Sequence, residues 1–357
     1  MSSQLKALRK VVSSDLVDLI GSYARIFEGQ VVGAMRNTSD ARKFLMLSPN
    51  RILTVRRDFI EIKKLDGTSL SGFKFRYFVT TIAKLSGNRL AVGYKFSKID
   101  DREDGYDDDE ETDDEDREII DEIQILDLDS WKTLLTVSQP VTPAEEDSEL
   151  EGVNSIHQIS EDRMVCVSCH YVCVWNMDTG ELINRTEIED DIYCLSVLSN
   201  GDFAVGTSGD IYILKAETLV PVANVGQKKK KEPEPTIRLL SLPETGEIAC
   251  ITGERIMIRD AKTLKLNNKF ERHSKVIGDG YSKSDDIDLV LAPGGNLLLS
   301  GVKNSRNTSV ISWKLTGKRG EHEIIATNVA PNLVLFSTDT QLLVGSIYSG
   351  ANVTIWE

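Results

Sequence analysis

From about residue 22 onward the chain alternates short apolar runs with clusters of Ser, Gly, Asn, Asp and Pro, the signature of β-strands joined by tight turns. The clearest run is Tyr171-Val172-Cys173-Val174-Trp175, followed by Asn176-Met177-Asp178-Thr179-Gly180. Its side chains alternate up to a tryptophan, a small polar residue and a turn. Six further segments carry the same phrase: Ile60-x-Ile62-Lys63, Ile123-x-Ile125-Leu126, Ile211-x-Ile213-Leu214, Ile256-x-Ile258-Arg259, Val310-x-Ser312-Trp313 and Val353-x-Ile355-Trp356. The chain is therefore a repeat of seven units. Their anchor positions, 63, 126, 175, 214, 259, 313 and 356, lie 63, 49, 39, 45, 54 and 43 residues apart.

Each unit repeats one inner order: an apolar strand, a tight turn, a second apolar strand, a short link and the anchor strand. The tight turns are Ser48-Pro49-Asn50, Ser86-Gly87-Asn88, Ser160-Glu161-Asp162, Ser199-Asn200-Gly201, Pro243 to Gly246, Pro293 to Asn296 and Ser337-Thr338-Asp339, all residues that tolerate or impose hairpin geometry. Second strands include Leu90-Ala91-Val92-Gly93, Phe203-Ala204-Val205-Gly206, Leu298-Leu299-Ser300-Gly301 and Leu343-Val344-Gly345-Ser346. Residues 1–21 depart from this pattern. There Leu5, Leu8, Val12, Leu16, Leu19 and Ile20 fall at helical spacing, and Ser14 is placed to cap a second short helix.

The repeat resembles the WD-repeat family of β-propellers, whose blades are four-stranded sheets with a third strand ending in Trp-Asp. The anchor spacing fits that family's blade period of about 40 to 45 residues plus insertions. The match is degenerate. Trp175-Asn176, Trp313-Lys314 and Trp356-Glu357 keep the tryptophan, Leu126-Asp127 and Arg259-Asp260 keep the aspartate, and no unit keeps both. The family's Gly-His pair is reduced to Gly29-Gln30, Gly226-Gln227 and Arg272-His273. The resemblance implies an all-β fold over residues 22–357, a seven-bladed propeller of four-stranded antiparallel blades. The last unit lacks a fourth strand, and Tyr23-Ala24-Arg25-Ile26-Phe27, just before Glu28-Gly29-Gln30, is expected to supply it. That pairing removes exposed sheet edges. In the N-terminal segment, Ser14 to Ile20 resembles the opening helix of an F-box, which implies docking on a ubiquitin-ligase adaptor. Strand-like sequence begins too soon for a complete F-box, and a plain packing helix accounts for the same residues.

Charge is distributed unevenly. The formal net charge is −14, yet fourteen carboxylates against two arginines between Asp100 and Glu118 account for −12 of it. The remainder is nearly neutral, which excludes a general basic field for direct nucleic-acid binding. The insert, about residues 99–119, is too poor in apolar residues to bury a core and is expected to be disordered. It serves either as an electrostatic arm for a basic partner, such as a histone, a ribosomal protein or an arginine-rich tail, or as a solubilising loop. In the implied propeller every long excursion falls on one face: Lys98 to Ile119, Pro140 to Gly152, Gln227 to Pro235 and His273 to Asp286. Long loops usually carry binding. The candidate partner-binding residues on that face are Arg57, His170, Arg255 and Lys303 at loop tips, with Asp107, Asp108, Asp109, Glu110 and Glu111 in the insert. Lys228 to Lys231 forms a basic run expected to shield the insert in the free protein.

No apolar run reaches the length of a membrane span and no secretory leader is evident, so the expectation is a monomeric intracellular protein, cytoplasmic with the nucleus open, that binds no membrane. Cys166, Cys169, Cys173, Cys194 and Cys250 are odd in number and suit a reducing compartment. Cys166-Val167-Ser168-Cys169-His170 matches the attachment motif of a c-type haem. Strand alternation sends its thiols to two faces, so core cysteines are expected and neither haem nor, with Cys173, structural zinc. Asp100, Asp104, Gly105, Asp108 and Glu111 fit a calcium loop only in part, because Arg102 replaces a needed oxygen ligand. His157, His170, His273 and His322 are scattered, and no phosphate loop or nucleophile elbow is present. The expected function is a non-catalytic interaction scaffold without cofactor or metal. The alternatives are a ubiquitin-ligase substrate receptor and an acidic-loop assembly factor for basic proteins.

Overall fold

The computed structural model describes residues 31–35, 43–48, 51–56, 58–64, 68–97, 119–138, 152–226, 236–252, 255–272, 288–291, 297–303, 308–315, 322–329, 333–337, 342–346 and 353–356. These residues hold no helix; their 28 strands form seven four-stranded antiparallel sheets, the blades the repeat predicts. The N-terminal helix and the acidic insert lie outside the described residues.

Strand β1 (Val31–Met35) belongs to the last blade. Blade 1 follows with β2 (Lys43–Ser48), β3 (Arg51–Arg56), β4 (Phe59–Lys64) and β5 (Ser69–Lys74). Blade 2 is β6 (Val79–Leu85), β7 (Arg89–Ser97), β8 (Ile119–Asp127) and β9 (Thr133–Ser138). Blade 3 is β10 (Val153–Gln158), β11 (Arg163–Ser168), β12 (Tyr171–Asn176) and β13 (Leu182–Glu187), and blade 4 is β14 (Ile192–Val197), β15 (Phe203–Thr207), β16 (Asp210–Leu214) and β17 (Pro221–Gly226). Blade 5 is β18 (Thr236–Leu242), β19 (Glu247–Thr252), β20 (Arg255–Asp260) and β21 (Leu266–Arg272). Blade 6 is β22 (Asp288–Leu291), β23 (Leu297–Lys303), β24 (Thr308–Lys314) and β25 (His322–Val329). Blade 7 is β26 (Leu333–Ser337), β27 (Leu342–Ser346), β28 (Val353–Trp356) and β1. All seven anchor segments are third strands.

The closing strand is displaced from its expected place. Val31–Met35 pairs antiparallel with β28, Val31 opposite Trp356 and Met35 opposite Val353, with a register irregularity between Val31 and Gly33. Tyr23 to Phe27 lies outside the described residues. Two short apolar runs flank Gly29-Gln30, and the pairing takes the second. Backbone hydrogen bonding gives the sequence no means of marking which one.

The strands group into two compact units, blades 2 to 4 in one and blades 1 and 5 to 7 in the other, with a boundary inside β5. In the blade 2–4 unit the inner strands β11, β12 and β15 are apolar and buried on both faces, whereas the outer strands β13 and β17 alternate exposed and half-buried positions. Neighbouring blades account for the difference. One cluster joins Ala91, Ile123 and Ile125 of blade 2 to Met164, Cys166, Cys173 and Trp175 of blade 3. Another joins Val165, Val167, Val172 and Val174 to Leu195, Phe203 and Val205 of blade 4. In the other unit Trp313 is fully buried, with its ring 5.4 Å from Phe270 and 5.2 Å from His322.

The third-to-fourth-strand turns explain the Asp or Asn that follows the anchor. Asp127 Oδ1 accepts from Asp129 N at 3.2 Å, Ser130 N at 2.8 Å and Ser130 Oγ at 2.7 Å. Asn176 Oδ1 accepts from Asp178 N and Thr179 N, both at 2.9 Å. Asp260 Oδ1 accepts from Lys262 N at 3.1 Å and from Thr263 N and Oγ1 at 2.7 Å. These hydrogen bonds, led by the Ser130 and Thr263 hydroxyls, hold the Asp127 and Asp260 carboxyls below the usual carboxylate range. The next residue turns left-handed in every case: Trp131, Gly180 and Leu264 have φ of 57°, 75° and 56°. Blade 4 keeps the turn, with Leu219 at φ 55°, but has Lys215 at the polar position, its Nζ 3.1 Å from Asp202 Oδ2.

Within the blade 2–4 unit the first strands run side by side in one sense. Thr80 Oγ1 donates to Val153 O at 2.9 Å, Asn154 Nδ2 donates to Ile192 O at 2.9 Å, and Ser86 N donates to Gln158 Oε1 at 2.6 Å. The starts of β6, β10 and β14 thus lie together at what we call the link end, with the inter-blade links and the second-to-third-strand turns. The short hairpin turns lie at the opposite end. The β7–β8 pairing runs out to Ser97 opposite Ile119, so the two residues that flank the acidic insert lie at the link end.

Blades 2 and 3 approach closely at Gly93, where an added Cβ lies 2.8 Å from both Thr81 Cγ2 and Val153 Cβ. Gly93→Ala is expected to cost about 1–3 kcal/mol by overpacking, read as a lower urea midpoint. A second outcome concerns pH. His157 retains slight solvent access, but enclosure by protein lowers its pKa, opposed by a hydrogen bond with the Leu195 backbone. An unfolded histidine titrates near ~6.5, so acidification below that value protonates the unfolded chain first and stability falls. The urea midpoint should decline as pH drops from about 6.5 towards 5, and less steeply in His157→Asn.

Candidate functional site

The described surface richest in chemistry is the link end of blades 3 and 4. Three backbone segments meet there: the β11–β12 turn at Cys169–His170, the inter-blade link 188–191 and the β15–β16 turn at 208–209. They are pinned to one another. Ile188 N donates to His170 O at 2.8 Å, Ile192 N to Cys169 O at 2.6 Å and Ser208 N to Asp191 O at 3.0 Å.

The clamps gather polar side chains from separate strands. Cys169 Sγ lies 3.4 Å from Asp191 Oδ1, and His170 Nε2 lies 3.6 Å from the same oxygen. Cys169 is buried, while the His170 and Asp191 side chains keep 21% and 36% exposure. Alongside, the buried Thr207 Oγ1 accepts from Asp210 N at 2.9 Å and lies 3.4 Å from Asp190 Oδ2. Tyr212 Oη is 3.5 Å from carboxylate oxygens of both Asp190 and Asp210. Burial, then the two carboxylates, push the Tyr212 phenol up to about 12. Gly226, opposite Asp210 in the sheet, leaves open the space that the Asp210 carboxylate occupies. Glu187 and Glu189 add two exposed carboxylates, and the Arg185 guanidinium stacks 4.5 Å over the Tyr171 ring.

Blade 2 contributes aromatic surface to the same end. Tyr77 stacks on Tyr94 at 5.9 Å with the Arg76 guanidinium 5.5 Å above it, and Phe78 is 62% exposed. The Tyr94 hydroxyl donates to the Glu122 carboxylate, and burial together with that carboxylate raises its pKa.

Of the residues picked from sequence, His170 occupies a turn at this end. Arg255 is the first residue of β20 and Lys303 the last of β23, both in the other unit. Arg57 and Asp107 to Glu111 lie outside the described residues, as do Lys228 to Lys231 and the partial calcium loop. Cys166 and Cys173 are core residues paired across β11–β12, with Cys166 Sγ 3.7 Å from Cys173 O. Cys169 instead faces Asp191, away from them. Asp190, Asp191 and Asp210 were missed, because the link that brings the first two beside His170 is some twenty residues downstream. The run Glu187-Ile188-Glu189-Asp190-Asp191 was the available signal.

No protein-family model matches the chain, and no curated protein matches it in sequence. Solved structures match its fold. The β-propeller domain of Myceliophteria thermophila Cps50 (Swd1) aligns with a TM-score of 0.62 at 11% identity, covering 92% of this chain and 99% of that one. BamB from Moraxella catarrhalis aligns with a TM-score of 0.54 at 10% identity over the same shares. The fold is that of a β-propeller.

Thr207 tests how firmly the site is built. Thr207→Val leaves the Asp210 amide without its acceptor and should lower stability by about 1–3 kcal/mol in urea unfolding, whereas Thr207→Ser should be near neutral.

Proposed function

We propose that this chain is a non-catalytic protein-interaction platform that receives a basic segment of a partner protein at the link end of blades 2 to 4. The observation that carries the reading is the cluster of carboxylates gathered there. Glu187, Glu189, Asp190, Asp191 and Asp210 sit on the links and link-end strand termini of blades 3 and 4, and the sequence joining β7 to β8 carries fourteen more carboxylates between Asp100 and Glu118. Carboxylates concentrated on one surface steer cationic partners and favour Lys- and Arg-rich segments over acidic ones. Exposed Phe78 beside Tyr77 offers flat aromatic surface to the same cations. The uneven lengths of the loops fit this use: in blades 2 to 4 the long connections join strand ends at the link end, and the hairpin-end turns, all among the described residues, are short. The protein acts inside the cell, where its five thiols stay reduced.

The test measures binding of full-length protein to a fluorescent Arg/Lys-rich peptide and to a neutral peptide of equal length, across salt from about 0.05 to 0.3 M. The basic peptide should bind selectively and weaken steeply with salt. Deleting residues 100–118 should slow its association, and Asp190→Asn with Asp210→Asn should weaken it further. Salt-insensitive binding, or binding indifferent to these changes, overturns the proposal. The ubiquitin-ligase reading rests on residues 1–21, outside the described residues. Loss of adaptor binding on deleting them alone would favour it instead.

A further inference from the structure

We infer that Cys169, His170 and Asp191 form a zinc-binding site with one open coordination position. Thiolate, imidazole and carboxylate are the donor types zinc takes, at about 2.3 Å for sulfur and about 2.0–2.2 Å for nitrogen and oxygen. Ligand atoms on a tetrahedron of that size stand about 3.3–3.6 Å apart. Cys169 Sγ and Asp191 Oδ1 are 3.4 Å apart, His170 Nε2 and Asp191 Oδ1 are 3.6 Å apart, and all three atoms lie within 4.8 Å of one another. Two edges of the coordination polyhedron already have their length. The third, between thiol and imidazole, closes by side-chain rotation within the turn.

The scaffold is preorganised. Cys169 and His170 are successive residues of one tight turn, and backbone hydrogen bonds at 2.6 and 2.8 Å fasten both to the link that carries Asp191. The Asp191 carbonyl is held in turn by Ser208 N at 3.0 Å. Binding replaces the thiol proton, which leaves to solvent, so Zn²⁺ meets one thiolate and one carboxylate and the set is neutral. A sulfur and an imidazole donor disfavour magnesium and calcium. The partial exposure of His170 and Asp191 leaves the fourth position to water or to a donor from a bound partner. A nucleophilic thiol is a poorer account of the trio. That chemistry sets the imidazole between thiol and carboxylate, whereas here both Cys169 and His170 address the one carboxylate oxygen.

The experiment titrates untagged, full-length protein with Co²⁺ under a non-chelating reductant, then with Zn²⁺. One equivalent of Co²⁺ should give the intense visible bands of a tetrahedral site and a thiolate-to-cobalt charge-transfer band in the ultraviolet, both erased by Zn²⁺. Cys169→Ser should abolish the charge-transfer band, Asp191→Asn should weaken binding at least tenfold, and Cys250→Ser should change neither. Zinc should also raise the thermal midpoint of the native protein and leave that of Cys169→Ser unmoved. Weak octahedral spectra without a sulfur band, or a band that survives Cys169→Ser, overturn the inference. If Cys169→Ser fails to fold, His170→Gln and Asp191→Asn decide by the same bands: both weaken them if the site is real.

Discussion

The inner strands β11, β12 and β15 are apolar and buried on both faces, and that one property constrains the rest of the fold around them. A sheet of this kind cannot face water on either side. It needs a neighbour on each, and a chain made of such sheets has to repeat them. Val165, Val167, Val172 and Val174 of blade 3 pack towards blade 4, while Met164, Cys166, Cys173 and Trp175 pack towards blade 2. The outer strands β13 and β17 are released from this requirement and alternate exposed and half-buried positions. Gly93 marks a close approach, where Val153 of the next blade lies 2.8 Å from an added Cβ.

Repetition of a sheet demands repetition of its turns, which is why the architecture could be read from the sequence. The Asp or Asn after the third strand is a turn-forming residue: Asp127, Asn176 and Asp260 each accept two successive amides before a left-handed residue. Position and chemistry recur together, so seven third strands could be aligned and all seven fall where they were placed. The closing strand was legible only in kind. Its pairing with β28 is made by backbone hydrogen bonds, and the sequence offers two short apolar runs, Tyr23–Phe27 and Val31–Met35, for that one place.

The site was less legible because it is assembled across elements rather than within one. His170 could be nominated as a turn residue, but Asp191 reaches it through the inter-blade link, and Thr207, Asp210 and Tyr212 come from the next blade. No short motif encodes such proximity. Cys169 shows the limit from the other side. The pattern Cys-x-x-Cys-His proposes a partnership with Cys166 that strand alternation forbids, and the actual partner, Asp191, lies in another segment altogether.

Charge completes the account, since the folding constraint leaves only the blade ends free to vary and the link end has become acidic. The most direct measurement is amide hydrogen exchange on the full-length protein with and without a saturating Arg/Lys-rich peptide. Protection at residues 76–79, 169–170, 187–192 and 208–210, with the hairpin-end turns at 127–132, 176–181 and 215–220 unchanged, is the predicted result. Protection at the hairpin-end turns instead, or none anywhere, would contradict it.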